Sequence, residues 1–287
     1  MKVRAFSKLT RVSVLLLLAV TARAGIINYG TADAFAVLGE AGVTNTGPSL
    51  IFGSLAGSVG TPAVTGFPPG SVVAPGVLYL AGVVNSGPGT PFGDAAAAAT
   101  AADGLSGMNE GTDTLGAGGL STLAPGVYSF TSPTVLLNGL LLLDAAGSDS
   151  ASWVFQIPFA LTTASASSVE VVDTGSAGLF TGSITWVVGS QATLGTTTAF
   201  LGTIISGAAT VLDTGATIGC GRAISLTAGV TLDDNLVDAA AADCAVTGVP
   251  GGPIVPPPAP PVPEPSSFVL FSLGTLAMVL PALRKRL

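Results

Sequence analysis

LTTASASSV from Leu161, LGTTTAFLG from Leu194, LDTGATIGC from Leu212 and LDDNLV from Leu232 are four versions of one phrase within Trp153 to Val237. Aligning the leading leucines stacks Thr163, Thr196 and Thr214 in one column with Asp234 beneath them. Ser165, Thr198 and Ala216 fall in a second column two residues on. Side chains two apart on a strand share a face, so the phrase reads as strands stacked in register, with a polar face where function should lie. The leucines are unevenly spaced, about 18 to 33 residues apart, which suits a solenoid coil carrying insertions better than a strict short repeat.

Outward from that stretch the composition agrees. Of 287 residues 48% are hydrophobic, enough for a core, while only 9% are charged, well below the roughly 25% of ordinary soluble domains. The 39 glycines, the few aromatics and the abundance of small and β-branched residues favour an all-β, tightly coiled architecture. Residues 25 to 263 hold fifteen acidic residues against one base, Arg222, a formal charge of −14. Such a surface repels phosphate backbones and excludes nucleic acid as a partner. The chain has no histidine, which removes the usual general base and the commonest metal ligand together.

Both ends read as addresses. Residues 1 to 24 combine a basic start, the apolar run VSVLLLLAV and the small-x-small site Ala22-Arg23-Ala24, a secretory signal peptide with Gly25 as the first mature residue. The apolar run is too short to span a bilayer. At the other end nine prolines crowd residues 250 to 265, an extended linker over 248 to 263 that cannot pack as a core. Ser266 to Leu283 are mostly apolar and precede Arg284-Lys285-Arg286, a marginal transmembrane helix with basic residues on the cytoplasmic side. The order VPEPSS, apolar helix, basic tail over Val262 to Leu287 resembles the PEP-CTERM sorting signal of Gram-negative bacteria. That resemblance implies transient anchoring in the inner membrane, cleavage near Pro263, Glu264 and Pro265 by an exosortase-type peptidase, and export to the outer surface.

The body between the ends, residues 25 to 247, reads as one domain. INYGTADAFAVLGEAGVTNTGPSLIFGSLAG supplies short apolar runs separated by Gly, Pro and Asn turns, with Phe35, Val37 and Leu38 as early core. DAAAAATAADGLSGM, 94 to 108, is a helix thin enough to pack closely along a solenoid flank, with Asp94 as its N-cap. Trp153 and Trp186 open successive coils and fill the interior. Cys220 and Cys244 are the only cysteines, and in a secreted chain they read as one disulfide pinning the last coils.

VTNTGPS, AVTGFPPG, the alanine-rich helix, APGVYSF, WVFQI, LTTASASSV, SQATLGTTTAFLGTI, TGATIGCGRAISL and VTLDDN occur in that order over Ile26 to Cys244. Together they resemble the microbial ice-binding protein family. The resemblance implies a right-handed parallel β-helix of roughly triangular section with one α-helix along its side, one flat face of which meets an ice crystal. Stacked coils repeat at about 4.7 to 4.9 Å, so an outward threonine column makes a rank of stiff methyls and hydroxyls at fixed intervals. The candidate face is Thr163, Ser165, Thr196, Thr198, Thr214 and Thr217, and Thr214-Gly215-Ala216-Thr217 resembles a T-A/G-x-T/N motif of some members. Asp234 interrupts the column.

Other chemistry finds little support. Asp233 and Asp234 are the only adjacent carboxylates and read as turn caps rather than a glycosidase pair. Arg222 alone is poorly equipped for lyase chemistry and reads as a holder of carbonyls or of an acid between coils. No calcium-binding nonapeptide, EF-hand loop or P-loop is present. The sequence therefore points to a secreted, monomeric, non-enzymatic protein without cofactor or metal that adsorbs to ice. Its rival is a cell-surface or biofilm-matrix adhesion module on the same fold, favoured by the interruption at Asp234.

Overall fold

The computed structural model describes residues 26–58, 64–83, 87–109, 111–175, 179–239 and 244–245. The signal peptide, the proline-rich linker and the sorting signal lie outside them. Among the described residues no helix is long and apolar enough to cross a membrane.

Short strands of two to six residues, punctuated by glycine and turn residues, wind into a parallel β-solenoid with three parallel sheets. Among the described residues sheet A, which contains Phe35–Gly39, has nine strands, sheet B, which contains Val43–Asn45, has seven and sheet C, which contains Leu50–Phe52, has eight. Along the strands of the two uncovered faces alternate residues point inward, and most of the inward set is aliphatic or aromatic. Leu137, Leu141, Leu143, Trp153, Phe155, Leu161, Trp186, Leu194, Phe200, Leu212, Leu232 and Val237 are all buried in one continuous core. Both tryptophans are fully buried, and each indole N–H is satisfied: Trp153 Nε1 donates to Leu123 O at 3.2 Å and Trp186 Nε1 to Leu201 O at 3.0 Å. The rings of Phe155 and Trp186 stack with centroids 3.7 Å apart.

The chain does not wind steadily from one end to the other. The first coil, Phe35–Gly39, Val43–Asn45 and Leu50–Phe52, pairs on one side with Ser54–Ser58 and Ser71–Val73. On its other side it pairs with the last coil, Ala223–Ser225, Val230–Leu232 and Leu236–Asp238. A seam therefore runs across the solenoid where the beginning of the chain rests on its end, and coils 108–238 stack away from it in reverse order.

The return is made along sheet A by α1, Pro91–Asp103. Its 13 residues span roughly 20 Å, about four strand spacings. Phe92, Ala95, Ala98, Ala99 and Ala102 form its buried stripe against Val127, Val154, Val187, Ile205 and Ile224 of sheet A. Alanine lets the helix lie close to the sheet. The helix begins earlier and ends earlier than the 94 to 108 segment read from the sequence. Thr90 is the N-cap, its hydroxyl accepting from Gly93 N at 3.2 Å, and Pro91 sits at the first helical position. Asp94 instead accepts from Gly89 N, Thr31 N and Thr31 Oγ1 at 2.7 to 2.8 Å, tying the helix start to the N-terminal segment.

The strand register revises the leucine alignment. Leu161 pairs with Ala192, while Leu194 pairs with Leu212. The phrase beginning at Leu161 is thus displaced by two residues from the one beginning at Leu194. The corner between sheets B and C keeps its own register: Ala166 N donates to Thr196 O, Thr197 N to Thr214 O and Gly215 N to Asp233 O.

Candidate functional site

The three outer faces differ in what they leave to solvent. Sheet A is covered by α1 together with Ile27, Tyr29 and Ala32. Sheet C carries Asp144, Glu170 and Asp238 in its strands. Sheet B is uncovered among the described residues, and its strands VTN, VTL, TVL, ATL, ALTT, TVLLN and TLG hold no charged side chain.

Each of these strands turns at least one side chain outward, and the register joins one from each into a single row. Thr65 bridges Thr44, and Thr44 pairs with Thr231. Thr231 pairs with Val211, Val211 with Thr193, and Thr193 with Thr162. Thr162 pairs with Leu136 and Leu136 with Thr114. Thr65, Thr44, Thr231 and Leu136 are exposed, and Val211, Thr193, Thr162 and Thr114 are half-buried between neighbours. Six of the eight are threonine, the other two aliphatic, and the repeat is the strand spacing of about 4.8 Å. Stiff β-branched side chains at a fixed interval, with methyls and hydroxyls and no charge to impose its own hydration shell, can order a layer of water.

The residues singled out from the sequence occupy three places. Thr163 and Thr198 face inward and are buried, 3% and 0% exposed. Thr163 Oγ1 accepts from Gly195 N at 2.8 Å, its hydroxyl meets Thr198 Oγ1 at 2.7 Å, and Thr198 Oγ1 donates to Ala164 O at 3.2 Å. Neither reaches an outer surface. Ser165, Thr196 and Thr214 do share an exposed row, at the B–C corner beside the sheet B face. Thr217 lies on sheet C between Ala199 and Leu236.

Asp233, not Asp234, continues the corner row. Its carboxylate accepts from Thr46 Oγ1 at 2.9 Å and from Thr214 Oγ1. Those bonds, Thr214 first and Thr46 second, hold its pKa below the ordinary carboxylate value. Asp234 takes the left-handed turn position at φ 55°. Beneath the corner a buried polar ladder runs inward. Asn235 Nδ2 donates to Asp213 O and Ala216 O, Asn235 N donates to Ser49 Oγ, and Ser49 Oγ donates to Asn45 Oδ1. Arg222 holds Asp33 through Nη2, 2.6 Å from Oδ1 and 2.7 Å from the carbonyl, and lies 5.1 Å from the centre of the Tyr29 ring. It thus grips an acid and a carbonyl across the seam.

The threonines of sheet B escape the LxT phrase because the leucine points inward and a residue two further on does the same. The signal that finds them is the apolar-Thr-apolar triplet in ATL at 192–194 and VTL at 230–232, with its variants VTN at 43–45 and LTT at 161–163.

The profile of the Ice-binding-like family matches residues 37–238. An ice-binding protein of Nostoc sp. (strain HG1) is 40% identical over 216 residues, 75% of this chain and 74% of that one. Among solved structures, an ice-binding protein of the Antarctic ascomycete Antarctomyces psychrotrophicus is similar at a TM-score of 0.63 and 34% identity, covering 75% of this chain and 98% of that one. An ice-binding protein from an Antarctic biological consortium is similar at a TM-score of 0.62 and 32% identity, covering 76% and 93%.

Proposed function

The chain belongs to the Ice-binding-like family, and from that premise we propose that it adsorbs to ice through the outer face of sheet B and limits ice growth or recrystallisation. The observation that carries this reading is the unbroken register from Thr65 to Thr114 on the one outer face that is neither covered nor charged among the described residues. Ser165, Thr196 and Thr214 border that face and extend its hydration layer at one edge. The work asked of the protein is adsorption, with no chemical step.

The adhesion-module reading rested on an acidic interruption of the threonine column. Asp233 and Asp234 belong to the corner and leave the sheet B row intact, so that ground falls away. Secretion through the N-terminal signal, transient anchoring and exosortase cleavage near Pro263-Glu264-Pro265, and delivery to a Gram-negative outer surface extend the proposal on the strength of the terminal sequences. So does a Cys220–Cys244 disulfide, on the ground that these are the two cysteines of a chain read as secreted.

Ice-recrystallisation inhibition by the purified protein tests the face. Thr193→Tyr and Thr231→Tyr each place a bulky ring in the sheet B row and should raise the concentration needed for inhibition at least roughly tenfold, a loss of about 1.4 kcal/mol or more of adsorption per molecule. Thr196→Tyr at the border should cost less, and Thr217→Tyr on sheet C should cost nothing. Loss of activity at Thr217 with retention at Thr193 would move the site to sheet C, and an inactive wild-type protein would end the ice reading.

A further inference from the structure

The row of sheet B threonines is assembled from two distant parts of the chain. Thr65 and Thr44 come from the first coils and Thr231, Thr193, Thr162 and Thr114 from the later ones, and the two sets meet at the Thr44–Thr231 pair. No covalent connection crosses directly at that point, so the spacing of the row there depends on what fixes the first coil against the last.

Backbone pairing sets the strands side by side. Thr46 N donates to Leu232 O at 3.0 Å and Val230 N to Gly42 O at 3.0 Å. On the solvent side, at the edge of the row, one side chain bonds to both sides of the seam. Asp233 follows directly on the strand that carries Thr231. One of its carboxylate oxygens receives the hydroxyl of Thr46, two residues beyond Thr44. The other receives the hydroxyl of Thr214 from the coil beneath. The carboxylate is itself oriented, because Asp233 N donates to Asn235 Oδ1 at 2.6 Å and Gly215 N donates to Asp233 O at 3.1 Å. Two hydroxyls from the coils on either side of its own thus converge on the Asp233 carboxylate, and charge-assisted bonds of this kind are directional and short.

We propose that Asp233 is a positioning residue for ice adsorption, clasping Thr46 and Thr214 so that the threonines on the two sides of the seam form one continuous row. The proposal rests on the assignment of ice contact to sheet B. Asp233 stands at the corner and need not touch ice; it acts through the placement of Thr44 and Thr65. Without the clasp the first coil keeps its backbone pairing but shifts at its exposed edge, and the threonines beyond the seam drop out of register with the rest.

Recrystallisation inhibition by the full-chain protein and its variants, with thermal melts alongside, tests this. Asp233→Ala should raise the concentration needed for half-maximal inhibition by roughly tenfold, the loss of a charge-assisted pair of bonds. Asp233→Asn, which can accept from one threonine and donate to the other, should restore it to within about twofold. In the Asp233→Ala background Thr44→Ala should cost nothing further, whereas Thr193→Ala should cost as much as it does in the wild-type protein. A merely structural role would leave both threonine substitutions equally costly in both backgrounds, and that result overturns the proposal, as does full activity of Asp233→Ala. Should Asp233→Ala melt below the assay temperature, Thr46→Val removes the clasp from the other side and carries the same expectation. An inactive wild-type chain would remove the ice reading itself, a different result from an active wild type indifferent to Asp233.

Discussion

Thr163 and Thr198 are threonines whose hydroxyls serve the fold rather than the surface. Their shared bond at 2.7 Å lies beneath the B–C corner, and Gly195 N, itself buried, depends on Thr163 Oγ1 as its acceptor. Thr163→Val keeps the shape but leaves that N–H without a partner, at a cost of about 1 to 3 kcal/mol. Urea unfolding should register this loss, while inhibition of recrystallisation per folded molecule stays at the wild-type level; a fall in ice activity with unchanged stability would put Thr163 on the ice contact after all. The sequence made the polar phrase visible but not its direction. In a β-solenoid strand the residue two after an inward leucine is also inward, and only the register, in which Leu161 meets Ala192, shows that Thr162 and Thr193 are the outward pair. At the corner Thr196 and Thr214 of the first column stay together, but Ser165 from the second column stands where the alignment placed Thr163.

At the level of elements α1 shows what composition can and cannot give. Seven alanines in 13 residues announce a helix, but its start is set by Thr90 and Pro91, a cap and first-position signal outside the alanine run. Asp94 lies in the first turn, where a negative charge meets the positive end of the helix dipole. Bonds from Thr31 N and Oγ1 and from Gly89 N hold its pKa below the usual carboxylate value. A carboxylate whose folded pKa is depressed contributes stability above its unfolded value, near pH 3.9, and loses it as pH falls through the folded value. Asp94→Asn should therefore lower Tm most at pH 6, and the gap from wild type should narrow as pH falls from about 4 toward 2. Other carboxylates titrate in both proteins and cancel in the comparison. A gap that stays constant over that range would mean that Asp94 fastens the helix by shape alone.

On the scale of the whole molecule the controlling fact is the path of the chain. Val37 pairs with Ala223 and Leu50 with Leu236, so the first coil cannot be completed until the last has been made. Such long-range pairing ties distant segments into one cooperative unit and slows folding relative to local contacts. A steady winding would leave the first coil as a frayed end; here it is covered on both sides, and α1 fastens the same region along sheet A. The amides that cross the seam, Glu40, Thr46, Leu50 and Val230, should therefore exchange with solvent deuterium as slowly as Ile204 N, which bonds Arg222 O at 2.8 Å in the middle of the stack. Native-state hydrogen exchange read by NMR measures this directly. If Thr46 and Leu50 exchange far ahead of Ile204, the first coil opens on its own, and the row of threonines would then be a surface that comes apart at Thr44 and Thr231 without unfolding of the rest. If they exchange together, rigidity across the seam is a property of the whole fold, and sheet B keeps its spacing from Thr65 to Thr114 for as long as the protein is folded.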